Sequence, residues 1–166
     1  MQLNGLIYTL PKEIKLLIGA FILVLSIGFY TGLLFVGETS SAAPNGIEEQ
    51  YLGNETDEDA EVMKFKKSEQ EMLTLVHNHI LSMSIIFFLV GLVLSTTKLN
   101  QKLKLFLIVE PFVSVVLTFG GLYLLWTGLL WMKYIVMLSG ILMTLTFTAS
   151  VLIILFQLFK NKTTTA

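Results

Sequence analysis

The chain holds two histidines, His77 and His79, two positions apart, and Met83 follows His79 by four. Imidazole and thioether are natural ligands for haem iron and for copper, so His77, His79 and Met83 form a candidate cofactor set. The two histidines are also the candidate metal ligands. Haem b is the first cofactor such residues would hold and copper the second; the cofactor itself is not identified by the residues. A carboxyl group, Glu110, lies inside another strongly apolar run, directly before Pro111. An ionised acid is costly there, so proton relay or carriage is its candidate chemistry. Tyr30 and Ser139 add hydroxyls to the intramembrane polar set.

Each of these has a plainer reading. The histidines could mark an interfacial helix start, their rings bonding to Glu69, Glu71 or loop carbonyls. Glu110 could be neutralised by Lys104 reaching along its helix, or by a Ser or Thr across the bundle. Catalysis finds no foothold: there is no serine–histidine–acid order, no HExxH and no glycine-rich phosphate loop, so no catalytic residue is assigned. With no cysteine in the sequence, thiolate metal sites, disulfides and thiol catalysis are excluded.

The elements that must position these groups are membrane spans. The 166 residues are 54% hydrophobic and 14% charged, with a mean hydropathy of +0.76, far more apolar than a soluble domain of this length. Four stretches, 14–36, 73–95, 103–126 and 134–159, each reach the roughly 20 residues needed to cross a bilayer core. The fold class is therefore an all-α integral membrane protein, an antiparallel four-helix transmembrane bundle in a single domain. The first stretch follows Lys12 and Lys15 and precedes Ser40, Ser41, Ala42 and Ala43, as a secretory signal would, but it exceeds the ~7–15 residues of a signal core. It is read as a retained span.

Charge orients the bundle. All eleven basic residues are lysine; seven of them sit at the N-terminus (Lys12, Lys15), between the second and third spans (Lys98, Lys102, Lys104) and at the C-terminus (Lys160, Lys162), against Lys64, Lys66 and Lys67 in the acid-rich segment 37–72. The positive-inside rule makes these regions cytoplasmic, an N-in/C-in arrangement expected in a bacterial inner membrane. Segment 37–72 then lies on the outer, periplasmic side; it holds ten of the twelve acids and has the polarity of a loop ordered by contact, with one short surface helix. Asn54-Glu55-Thr56 fits a glycosylation sequon, to which little weight attaches. A net charge of −1 without arginine does not suit nucleic acid. The lipid bilayer is the expected partner, with other membrane subunits or a homo-oligomer beside it.

Small and weakly polar residues mark the faces on which membrane helices pack. In the second span His77, Ser84 and Gly91 recur at heptad spacing, which turns His77 inward and leaves His79 about 200° away. The third span offers Glu110, Ser114, Thr118 and Gly121, the fourth Ser139, Met143, Thr146 and Ser150, and the first Gly19, Ser26 and Tyr30. His77, Tyr30 and Ser139 are expected at one depth near the outer face, and Glu110 roughly 10 Å in from the cytoplasmic boundary. A kink is expected at Pro111.

The stretch HNHILSMSIIFF (77–88) resembles the second helix of the haem–copper oxidase and nitric-oxide reductase large subunits. In that family a histidine followed four residues later by methionine carries the low-spin haem near the outer end of the helix, which the resemblance places on His79 with Met83. It spans at most residues 14–94, and the further helices and histidines of a complete oxidase core are missing. The chain also resembles small four-span bacterial membrane proteins with a His-x-His at the start of the second helix, which implies a fold and no activity. Three functional classes follow: a haem- or metal-associated accessory or assembly component of a respiratory complex, a cofactor-free structural or interaction subunit, and a proton-coupled carrier using Glu110.

Overall fold

The computed structural model describes residues 3–40, 44–55 and 62–160. The acidic run beyond Glu55, the small residues 41–43 and Lys162 lie outside the described residues. After an N-terminal 3₁₀ turn, Leu6–Thr9, come α1 (Lys12–Ser40), α2 (Pro44–Leu52), α3 (Glu69–Ser95), α4 (Gln101–Val115), a π-helical turn (Val116–Gly120), α5 (Gly121–Trp126) and α6 (Met132–Phe159). α1, α3, the α4–α5 column and α6 are each long and apolar enough to cross a membrane. The first span continues to Ser40, a turn past the apolar run ending at 36.

Helix starts follow local capping chemistry. Ser68 accepts from the Glu71 amide while Glu71 reaches back to the Ser68 amide, a reciprocal capping box that opens α3. Asn100 caps α4 through the Lys102 amide. The α-helix passes through Pro111 to Val115, and the departure from α geometry in this span is the π turn that follows.

The four spans are unequally buried. Half of the apolar window of the α4–α5 column is buried and 44% of that of α6, but only 11% of that of α1. α6 is the central helix, packing on α1, α3, α4 and α5, while α1 leans on α6 and α2. Phe147 of α6 sits at the hub: Phe29 of α1 stacks on it at 4.0 Å and Phe87 of α3 meets it edge-on at 6.2 Å. Such pairs add to simple area burial because ring edges and faces carry opposite partial charge. Gly19 of α1 admits the ring of Phe159 to 3.2 Å of where a Cβ would stand, the second contact holding α1 to α6.

Both ends of the bundle are closed by polar clasps. At the end carrying the 3₁₀ turn, Ile7 is fully buried and its amide donates to the Thr96 carbonyl. Lys104 donates to Asn4 and to the carbonyls of Ser95 and Thr97, the last turn of α3, where a cation is favoured by the helix dipole. Gln157 bonds to both the amide and the carbonyl of Lys98. At the other end, Lys133 pairs with Glu48 of α2 at 2.6 Å, and Asn54 accepts from the Lys64 amide and donates to the Val62 carbonyl. Asn54 thus closes a loop with its own carboxamide, a structural role that the sequon pattern did not convey.

Candidate functional site

The inward rows of α4 and α6 face each other, and they build the polar interior of the bundle. Glu110, Ser114, Thr118, Ser139, Thr146 and Ser150 are all buried. Ser114 donates to one carboxyl oxygen of Glu110, and Thr146 Oγ1 lies 2.6 Å from the other. Closer to the α5–α6 turn, Thr118 Oγ1 and Ser139 Oγ are 2.8 Å apart. Among the described residues no buried side-chain polar atom lacks a partner. Such satisfaction is required where water cannot reach.

The π turn belongs to this seam. On a regular α-helix a row at four-residue spacing drifts by about 40° per step, and the wider turn at 116–120 takes up that drift so that Thr118 still meets Ser139. Beside it, Gly121 allows α6 to approach: a Cβ there would stand 2.9 Å from Val136 Cγ2 and 3.3 Å from Met132 Cε. The same test at Gly120 finds open space, so Gly121 alone of the Gly-Gly pair is the packing point.

The polar set does not form one cluster. Glu110 is level with the middle of α6 and takes its partners from hydroxyls of its own helix and across the bundle, while Lys104 is held elsewhere. Tyr30 does not join Ser139. Its hydroxyl lies 2.8 Å from Thr148 Oγ1, and Thr148 is about 13 Å further along α6 than Ser139. The expected shared depth is not met: Tyr30 reaches α6 at Thr148, nine residues on from Ser139.

The histidines are rearranged as well. His77, expected inward, is exposed. A seven-residue row slips by about 20° per heptad on a straight α-helix, and here Gly91 is buried, Ser84 half-buried and His77 out. His79 is the ring that touches the bundle, stacked on Phe119 of the π turn with centroids 4.7 Å apart. Its Nδ1 is 2.8 Å from the Leu75 carbonyl one turn back. Neither Glu69 nor Glu71 supplies that bond, and Glu71 is engaged by Ser68.

That geometry tests the cofactor reading directly. A backbone carbonyl on Nδ1 leaves Nε2 free to coordinate, as metal-binding histidines commonly do. The surroundings do not fit a haem. His79 borders an open depression of about 420 Å³ lined by Ser68, Gln70, Glu71, Thr74, Leu75 and Asn78, whereas a cofactor site encloses most of the surface of the group it holds. Met83 packs against the apolar core. Among the described residues no three His, Asp or Glu side chains come together as a metal would need.

A family model described as a transmembrane helical domain matches residues 41–165. The match runs from just before α2 to beyond α6 and leaves α1 outside it. No curated protein and no solved structure matches the chain. Four membrane-length helices in an all-helical chain, together with a match over well over half its length, make this a small integral membrane protein of the family defined by that transmembrane helical domain.

Proposed function

We propose that the chain is a cofactor-free interaction subunit that pairs through α1 with α1 of a second copy. The observation carrying this is the state of α1: every residue from Thr31 to Leu34 is exposed, and a Cβ at Gly28 or Gly32 would meet nothing within 4 Å. Tyr30 holds α6, and the two glycines lie about 200° around the helix from it, on the side turned away from the bundle. Glycine in a helix interior costs roughly 0.5–1 kcal/mol against alanine. Two of them four residues apart recover that cost when another helix backbone approaches closely. The family match supports the same division, since α2 to α6 lie within it and α1 up to Ser40 does not. The lysine pattern supports an N-in/C-in orientation with 37–72 outside.

The absence of cysteine makes the test clean. Val24→Cys and Thr31→Cys face outward and Ile18→Cys faces the core. Mild oxidation of native membranes should give a disulfide-linked dimer of the first two and none of the third, and Gly28→Leu with Gly32→Leu should abolish it. Monomer at all three positions would overturn the reading.

A further inference from the structure

The lysines at the end of the bundle that carries the 3₁₀ turn divide into two kinds. Lys15 donates to the Tyr8 carbonyl at 3.1 Å, and Lys104 is held by Asn4, Ser95 and Thr97. These two close the fold. Lys12, Lys98, Lys102 and Lys160 are exposed, and their ammonium groups meet no acid and no hydrogen-bond acceptor among the described residues. Three chain segments bring the four together. Gln157, three residues before Lys160, bonds to both the amide and the carbonyl of Lys98. The contact of Gly19 with Phe159 sets the start of α1 beside the end of α6, and Lys12 lies about 10 Å further along α1. Lys102 follows Lys98 across the Asn100 cap. Among the described residues the only acid at this end is Glu13.

These lysines border the apolar surface that faces lipid. The Lys160 ammonium lies 5.4 Å from the centroid of Phe156, a ring 68% exposed. Ile14 follows Lys12, and Leu103 and Phe106 follow Lys102, all three exposed. A lysine at such a rim lays its stem along the apolar boundary and holds its charge at the level of the headgroups. We infer that this end of the bundle is a binding collar for anionic phospholipids, in which Lys12, Lys98, Lys102 and Lys160 pair with headgroup phosphates. Positive charge alone would also suit a soluble polyanion, but these lysines are edged by side chains that acyl chains cover. A zwitterionic lipid brings its own cation to each phosphate, so the collar separates headgroups by net charge. The opposite end, with ten acids in 37–72, exerts no such preference.

The test is native mass spectrometry of the full chain released from bilayers holding equal amounts of phosphatidylglycerol and phosphatidylcholine of the same acyl length, so that only the headgroup differs. One lysine at an anionic surface favours it about fivefold, so wild type should retain phosphatidylglycerol over phosphatidylcholine by more than about fivefold. Lys102→Gln alone should lower that ratio severalfold. Lys12→Gln, Lys98→Gln, Lys102→Gln and Lys160→Gln together should bring it to parity; glutamine keeps a long polar side chain, and none of the hydrogen bonds that close the fold is removed. Lys67→Gln, at the acid-rich end, should leave the ratio unchanged. Equal retention of the two lipids by wild type would overturn the proposal. So would a preference that survives the fourfold substitution, or one that Lys67→Gln lowers as far as Lys102→Gln does.

Discussion

The indole nitrogen of Trp126 donates to the backbone carbonyl of Lys67 at 2.8 Å, tying the end of α5 to the strand of chain that leads into α3. Lys66 lays its ammonium 5.0 Å from the centroid of the same indole. One aromatic side chain therefore fastens segment 62–67 to the bundle. Trp126→Phe keeps an aromatic face but removes the donor and part of the ring, so it should cost at least about 1 kcal/mol and speed proteolysis between α2 and α3. Cleavage at the wild-type rate would show that the hydrogen bond carries none of the fastening.

Glycine substitutions should separate by position. Gly53 has φ +83°, and a Cβ there would come within 2.7 Å of the Lys66 amide nitrogen and 2.8 Å of the Lys64 carbonyl. Gly53→Ala should open the outer loop. Gly121→Ala crowds the Cγ2 of Val136, a stiff β-branched neighbour, and should lower thermal stability by about 1–3 kcal/mol. Gly120→Ala should be neutral or slightly stabilising. Equal effects at 120 and 121 would contradict the α5–α6 packing.

Burial raises the Tyr51 phenol above its ordinary value. In the unfolded chain the phenol ionises near its reference value of about 10, while the folded chain holds the proton to higher pH. The neutral phenol's contribution to folding is then complete below that reference value and is lost as pH rises through the folded one. Protection of α2 against proteolysis should fall above about pH 10 in the wild type, and Tyr51→Phe should remove that part of the alkaline loss.

Protein purified from haem-replete cells should show no Soret band, because His79 faces Phe119 and an open depression. His79→Phe should keep the ring stack and the stability, and His77→Ala should be silent. A Soret band lost in His79→Ala at normal protein level would restore the oxidase-like reading.

Orientation is open to labelling. Met63 is exposed in segment 62–67 and Lys98 is exposed at the opposite end of the bundle. A membrane-impermeant maleimide should label Met63→Cys in intact cells and Lys98→Cys only after lysis. The reverse pattern would overturn N-in/C-in.

Much of this molecule was legible in the residues alone. Four apolar runs of membrane length leave a chain few choices, because an unpaired backbone in hydrocarbon is intolerable and the helix satisfies it locally. The facing rows of α4 and α6 were also legible, since Ser, Thr and Glu at three- and four-residue spacing can only sit where other helices meet them. What tertiary structure decided is rotation, depth and partnership. His77 turned out and His79 came to Phe119 because a heptad row slips on a straight helix. Tyr30 met Thr148 rather than Ser139 because the height at which α1 lies on α6, with Gly19 against Phe159, is not written in either helix alone. Thr118 met Ser139 because a π turn and Gly121 bring the α4–α5 column against α6. Spacing along one helix defines a face, but only a neighbour's height and angle determine which atom that face touches.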